Sequence, residues 1–245
     1  MSVAFSDFDN TVPSQNLIGT AFTGLGYNSG RLEFLPATEP KGQGTHDLGH
    51  FRAQLDNVRS RFNLDQSEAA RRIFIDLFIA EALIGASRNA IVTTEYNISA
   101  DPARLGHGRL DYLISSIDSA KKVPIYFPSI VIEAKKDLLK PDNATRENGQ
   151  WQLLSELLTL VQLSGKKKPF LPPFLRGIFT DGRYWNFIEV SLNDPKGNPY
   201  VMRSGRIDIV NANNQISDKA TVVQNILQYW LANYSEQRTA LSPKM

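Results

Sequence analysis

Two carboxylates and a lysine on neighbouring predicted strands form the set of residues with the clearest chemistry in this chain. Glu133 and Lys135 lie two residues apart in PSIVIEAKKD, so a strand places both side chains on one face. Asp111 lies in GRLDYLISSI, and the short segment between the two strands makes them neighbours in a sheet. Two such carboxylates can bind one Mg²⁺ ion, with the carbonyl oxygen of Ala134 as a further ligand. Lys135 would orient or deprotonate a water molecule, or neutralise charge on a phosphate, so the set predicts phosphodiester hydrolysis.

An ordinary ion pair is the alternative for Glu133 and Lys135, because Glu-X-Lys is a common tripeptide. Asp111 would then be a turn or surface acid. Glu81 favours the metal site, since it lies within the apolar stripe of a long predicted helix, where an unpaired carboxylate is costly. We predict that Glu81 joins the metal ligands; a structural pair with an arginine is the alternative.

A later predicted helix supplies a glutamine. Gln150 lies on the apolar stripe of that helix and would contact the substrate or the attacking water, or would cap nearby backbone groups. Gln152 is predicted to point the other way, together with Ser155 and Thr159. Gln150 is therefore the predicted catalytic glutamine.

The segments that must position these residues alternate between helical and extended patterns. Helices are predicted over 51–62, over 63–86 with a start at Asp65 or Ser67, over about 145–163 and over 218–234. Strands are predicted over 90–98, 108–117 and 128–137, with a hairpin over 175–190 and a strand pair over 200–210. This order predicts an α/β fold in which helices flank a mixed β-sheet. Residues 1–45 are predicted to be an irregular arm, 46–235 the domain and 236–245 a flexible tail.

Composition limits the function classes. The chain has 245 residues, of which 42% are hydrophobic, and it contains no cysteine, which excludes disulfides and thiolate zinc sites. No signal-peptide pattern or long apolar run is present, so we expect a soluble intracellular protein with no membrane partner. Cytoplasm or nucleus stays open, as does the oligomeric state, with a homodimer as one option.

Contacts with a polyanion must come from local patches, because the formal net charge is only +2. The candidate nucleic-acid-binding residues are Lys166, Lys167, Lys168, Arg183 and His107. The alternative is that the basic residues are solvated surface and that His107 is an ordinary loop histidine.

The order of these motifs resembles the PD-(D/E)XK nuclease superfamily. Asp111, Glu133 and Lys135 match its core motif, Glu81 its frequent helix acid, and Gln150 its following-helix glutamine, with Gln152 as the second choice. GHGRLDYLI, IVIEAKKD and RGIFTDGRYWNFIEV are most similar to nuclease-like domains of Crinkler effectors, and more loosely to nuclease domains of type I restriction enzymes. The resemblance covers roughly residues 71–190, and Leu110 replaces the proline that often precedes the aspartate.

The resemblance implies a restriction-endonuclease-like fold and a Mg²⁺-dependent endonuclease, with Mn²⁺ as a substitute ion. Its substrate would be nucleic acid, with DNA favoured over RNA. The alternative is a catalytically inactive module that binds nucleic acid or protein and keeps the same fold.

Overall fold

The computed structural model describes eleven stretches of the chain. These are residues 3–4, 28–31, 48–62, 67–85, 90–99, 106–117, 124–135, 151–160, 174–191, 200–211 and 213–241. Every structural statement below concerns these residues.

Helices and strands alternate along the described residues much as the sequence predicts. The helices are α1 (Leu48–Arg61), α2 (Glu68–Gly85), α3 (151–160) and α4 (Lys219–Leu241). The strands are β1 (Val3–Ala4), β2 (Asn28–Arg31), β3 (Ala90–Ile98), β4 (Gly106–Ile117), β5 (Pro124–Ala134), β6 (Phe174–Thr180), β7 (Tyr184–Ser191), β8 (Tyr200–Arg203) and β9 (Ile207–Asp208). None of the described helices combines the length and hydropathy that a membrane span requires.

The strands form one mixed sheet. Its order is β1-β4-β5-β6-β7-β8-β2, with β3 also paired to β4 and β9 also paired to β7. Strands β3, β4 and β5 are antiparallel neighbours, whereas β5 and β6 are parallel. A parallel pair needs a crossover connection, and α3 lies in the chain between β5 and β6. The crossover therefore brings α3 onto the sheet.

Helices cover both faces of this sheet, which confirms the predicted α/β class. One face packs against α1, α2 and α4 through a core that includes Phe78, Trp185 and Trp230. The other face packs against α3, where leucines of the helix meet Val131 and Phe179. The alternation along each strand sends successive side chains into the two cores. We call the second face, which α3 covers, the α3 face.

The ends of two helices show how local chemistry sets the boundaries. Ser67 caps α2, because its hydroxyl oxygen accepts a hydrogen bond from the amide of Ala70 at 3.1 Å. Of the two predicted starts, Ser67 is confirmed as a cap, and Asp65 lies outside the described residues. Helix α4 continues to Leu241, two residues before Pro243. The helix thus includes residues 236–241, which the sequence analysis assigned to a flexible tail, since no helix breaker precedes that proline.

Three strand assignments also differ from the prediction. The segment 1–45 contributes β1, paired with β4, and β2, paired with β8, so it is not wholly irregular. Both strands are short, with two and four residues, and each pairs through its backbone with a neighbouring strand. Such short segments show no hydrophobic period from which a strand could be predicted. Strands β8 and β9 each pair with β7 rather than with one another.

The hairpin turn between β6 and β7 lies where the sequence predicts it, at Asp181–Gly182. One carboxylate oxygen of Asp181 accepts hydrogen bonds from the amides of Arg183 and Tyr184, at 2.9 and 2.8 Å. Gly182 has a φ of 84°, in the region that favours glycine. The amide of Lys135 donates to the carbonyl of Thr180 at 2.8 Å, so this turn adjoins the end of β5.

We predict that Gly182→Ala destabilises the protein by about 1–3 kcal/mol, the usual cost of a non-glycine residue held in a sparsely populated backbone conformation. A Cβ atom would also lie 3.2 Å from the carbonyl oxygen of Arg71. Gly205→Ala is the matched control, because a Cβ there meets no atom within 4 Å. Urea denaturation of both variants tests this. Equal stability of the two would contradict it.

Candidate active site

Asp111 and Glu133 lie opposite each other on the paired strands β4 and β5. The antiparallel register pairs Tyr112 with Ile132 and Leu113 with Val131, and its continuation by one residue brings Asp111 opposite Glu133. Directly opposed residues project from the same face of a sheet, so both carboxylates lie on the α3 face. The register is compatible with the predicted pairing of the two acids, and their role as metal ligands stays a prediction.

Both oxygens of the Asp111 carboxylate accept hydrogen bonds. Oδ1 accepts from Nη2 of Arg72 at 2.5 Å, and Oδ2 accepts from the amide of Ala134 at 2.8 Å. The observed contact of Ala134 is therefore made through its N–H, which orients Asp111. The proposed role of the Ala134 carbonyl as a metal ligand stays a prediction.

The side-chain amide of Gln152 connects the other ionisable groups. Its Oε1 accepts from Nζ of Lys135 at 2.6 Å, and its Nε2 donates to Glu133 at 2.6 Å and to Glu156 at 3.0 Å. Lys135 also lies 3.2 Å from Glu133. The two side chains of the Glu-X-Lys motif thus meet a helix residue as well as each other.

Gln152 lies on the face of α3 that was predicted to point away from the site, so that orientation is wrong. Gln152, Ser155, Glu156 and Thr159 are all buried. The leucines of α3 are buried too, so the helix is enclosed on every side and the apolar stripe does not identify the face toward the site. Gln150 lies outside the described residues.

Burial dominates the electrostatics of Glu133. Loss of hydration, with the nearby Asp111 carboxylate as the second cause, raises the pKa of Glu133 from 4.5 to about 8, although Lys135 opposes the shift. One of its oxygens, Oε2, is buried and has no hydrogen-bond partner among the described residues. A buried carboxylate oxygen without a partner is costly, so this oxygen requires a proton or a ligand.

Glu156 is an acid that the sequence analysis missed. It is fully buried, and desolvation, followed by repulsion from Glu133, raises its pKa well above the ordinary value. Its Oε2 also has no hydrogen-bond partner among the described residues. Its position four residues after Gln152, inside the leucine-rich run LLSELLTL, could have indicated a buried acid.

Arg72, rather than Glu81, is the α2 residue that contacts Asp111. Glu81 is buried, as its place in the apolar stripe predicts, but it lies roughly 14 Å further along the helix axis at 1.5 Å per residue. No group of three acidic or histidine side chains in the described stretches could hold a metal ion. The predicted set of three carboxylates is therefore not assembled, and the pair of Asp111 and Glu133 remains.

Of the predicted nucleic-acid-binding residues, the structure describes Arg183 and His107. Lys166, Lys167 and Lys168 lie outside the described residues. Arg183 is in the β6–β7 turn and donates to Oδ1 of Asn214 at 3.3 Å. His107 lies near the start of β4, half-buried, where its backbone is paired with Ala4.

Compared with known proteins, the chain matches no family model and no curated protein. The chemistry of the site must therefore be derived from its own geometry.

We predict that the free energy of unfolding falls as the pH rises from about 4.5 to about 8 in the presence of EDTA. The folded state raises the pKa of Glu133 above its ordinary value. The contribution of Glu133 to the free energy of unfolding is therefore fully present below pH 4.5 and is lost as the pH rises through about 8. Glu133→Gln removes the titrating group and should flatten this profile. The variant should therefore lose less stability than the parent between pH 5 and pH 8. Asp218→Asn, at an exposed position, is the control. Parallel profiles for the parent and Glu133→Gln would contradict the prediction.

Proposed function

We propose that this protein is a metal-dependent nuclease that hydrolyses phosphodiester bonds, with DNA as the favoured substrate. The observation that supports this best is the pair of opposed carboxylates, Asp111 and Glu133, beside the ammonium group of Lys135. The preference for DNA rests on the resemblance to PD-(D/E)XK nucleases, which is compatible with the mixed sheet and its flanking helices.

The residues present fit a hard divalent cation. Mg²⁺ is commonly held by one or two carboxylates, with water and substrate phosphate in the remaining positions. Glu133 offers a buried oxygen that lacks a hydrogen-bond partner in the described part of the chain. Asp111 lies opposite it, so the two would hold the ion, which would polarise the phosphate and lower the pKa of a bound water molecule.

Lys135 and Gln152 have separate roles in this proposal. Lys135 cannot ligate a cation, because its ammonium group has donors only. It would instead hold a phosphate oxygen or exchange a proton with the attacking water. Gln152 positions Lys135 by accepting its hydrogen bond at 2.6 Å and holds the orientation of Glu133 with its own N–H. Glu156 accepts a hydrogen bond from the other N–H of the Gln152 amide and so helps to hold its orientation.

A catalytically inactive binding module is the second candidate. The ion pair of Arg72 and Asp111 favours it, because an aspartate already neutralised by arginine has less need of a metal ion. Cation binding and cleavage distinguish the two candidates.

We predict that the purified protein cleaves plasmid DNA in Mg²⁺ or Mn²⁺ and that EDTA abolishes cleavage. Asp111→Asn should abolish it as well, since the change removes the ligand charge and keeps an oxygen for the Ala134 amide. The variant should also lose the increase in melting temperature that Mg²⁺ gives to the parent. Parallel assays on single-stranded RNA determine the polymer. A parent protein with neither cleavage nor cation-dependent stabilisation would favour the inactive module.

We predict that Lys135→Ala lowers turnover by roughly 10²- to 10⁴-fold, the usual effect of losing an acid–base group. Its affinity for the divalent ion should be unchanged or slightly higher, because a nearby positive charge is lost. Calorimetry and a cleavage assay on the same preparation separate the two effects. Lys219→Ala, at an exposed position on α4, is the matched control. Full activity of Lys135→Ala would reduce Lys135 to a structural partner of Glu133.

A further inference from the structure

Arg72 holds the aspartate of the candidate metal site from a different element. Its Nη2 donates to Oδ1 of Asp111 at 2.5 Å, and its Nη1 donates to Oε1 of Glu95 at 3.3 Å. The guanidinium group also lies over the ring of Tyr112, 6.0 Å from its centroid. The arginine is about one quarter exposed, so it lies at the border between the site and solvent.

Glu95 has an unusual backbone conformation at the same place. It has a φ of 53° within β3, where the pairing with β4 passes from Thr94–Tyr112 to Tyr96–Leu110. The residue that this step skips on β4 is Asp111. A non-glycine residue in this region of φ is strained, and such strain persists where the surroundings compensate for it. The Glu95 carboxylate contacts both Arg72 and Arg109, the latter at 2.9 Å.

We infer that Arg72 is an internal counter-ion that occupies Asp111 in the absence of a divalent cation and transfers to Glu95 when the cation binds. The inference rests on the proposed function and adds a control element to the same site. A guanidinium group and a divalent ion on one carboxylate repel each other strongly, because both are cations a few ångströms apart. Glu95 gives Arg72 a second acceptor within reach, so the transfer requires a change of side-chain conformation only.

The inference predicts that removal of Arg72 tightens cation binding. Calorimetric titration of Mn²⁺ should give an affinity about tenfold higher for Arg72→Ala than for the parent, because the competing charge is lost. Arg109→Ala is the matched control: it removes a charge that also contacts Glu95, but Arg109 is exposed and makes no described contact with Asp111, so its affinity should change by about twofold or less. If Arg72→Ala does not fold, Arg72→Gln replaces it, because this variant keeps a neutral hydrogen-bond donor.

The outcomes separate this inference from the proposed function. If the parent binds Mn²⁺ and the Arg72 variant binds it equally or more weakly, Arg72 is a structural clamp and the inference fails alone. If only the variant binds the ion, Arg72 blocks Asp111 permanently, and its transfer to Glu95 is overturned. If neither binds it, the inference and the metal-dependent function both fail.

Glu95 is tested by a double-mutant cycle. Glu95→Gln should weaken Mn²⁺ binding in the parent, because the second acceptor of Arg72 loses its negative charge. In the Arg72→Ala background, the same change should have a clearly smaller effect. Equal effects in the two backgrounds would make Glu95 a distant charge only and would overturn its role as the second acceptor.

Discussion

The side-chain amide of Gln152 is the interaction on which the candidate site depends. An amide offers one acceptor atom and two N–H donors, and here the oxygen meets the ammonium group of Lys135 while the nitrogen meets Glu133 and Glu156. The opposite orientation of the amide would place N–H groups against the ammonium group. The charges around the amide therefore select one orientation, and that orientation fixes the Lys135 and Glu133 side chains relative to each other.

The topology of the sheet makes this contact available. Because β5 and β6 are parallel, the chain must cross over between them, and α3 lies on the crossover above the end of β5. Gly177 lets the helix approach closely, since a Cβ atom at this position would lie 2.9 Å from a methyl group of Leu157. A larger residue would displace the side chains of Leu153 and Leu157, which belong to the helix that carries Gln152. The position of Gln152 therefore depends on close packing between β6 and α3.

Much of the fold follows from local patterns, whereas the site follows from them only in part. The period of two along β5 is sufficient to place Glu133 and Lys135 on one face, and the short connection between β4 and β5 is sufficient to predict that Asp111 lies on a neighbouring strand. The orientation of α3 could not be predicted in the same way, because a helix buried on all sides has no polar face to mark the solvent. The contact of Arg72 with Asp111 was missed for a different reason: it joins α2 to β4, and nothing within either segment specifies that pairing. Strand β1 could not be predicted because two residues are too few to show a period, although their backbone pairs with β4.

The carboxylates of Asp111 and Glu133 have different electrostatic environments. Asp111 is neutralised by Arg72 and receives a backbone N–H, so its charge is balanced within the described structure. Glu133 is buried and shares Lys135, yet its Oε2 lacks a hydrogen-bond partner there, and desolvation raises its pKa to about 8. A purely structural network would gain from replacing such a group by an apolar residue. A cation that binds both carboxylates removes this cost at Glu133 but must displace a charge at Asp111. The fold thus gives the two carboxylates different environments, and under the proposed function this difference would make cation affinity depend on Arg72 as much as on the carboxylates.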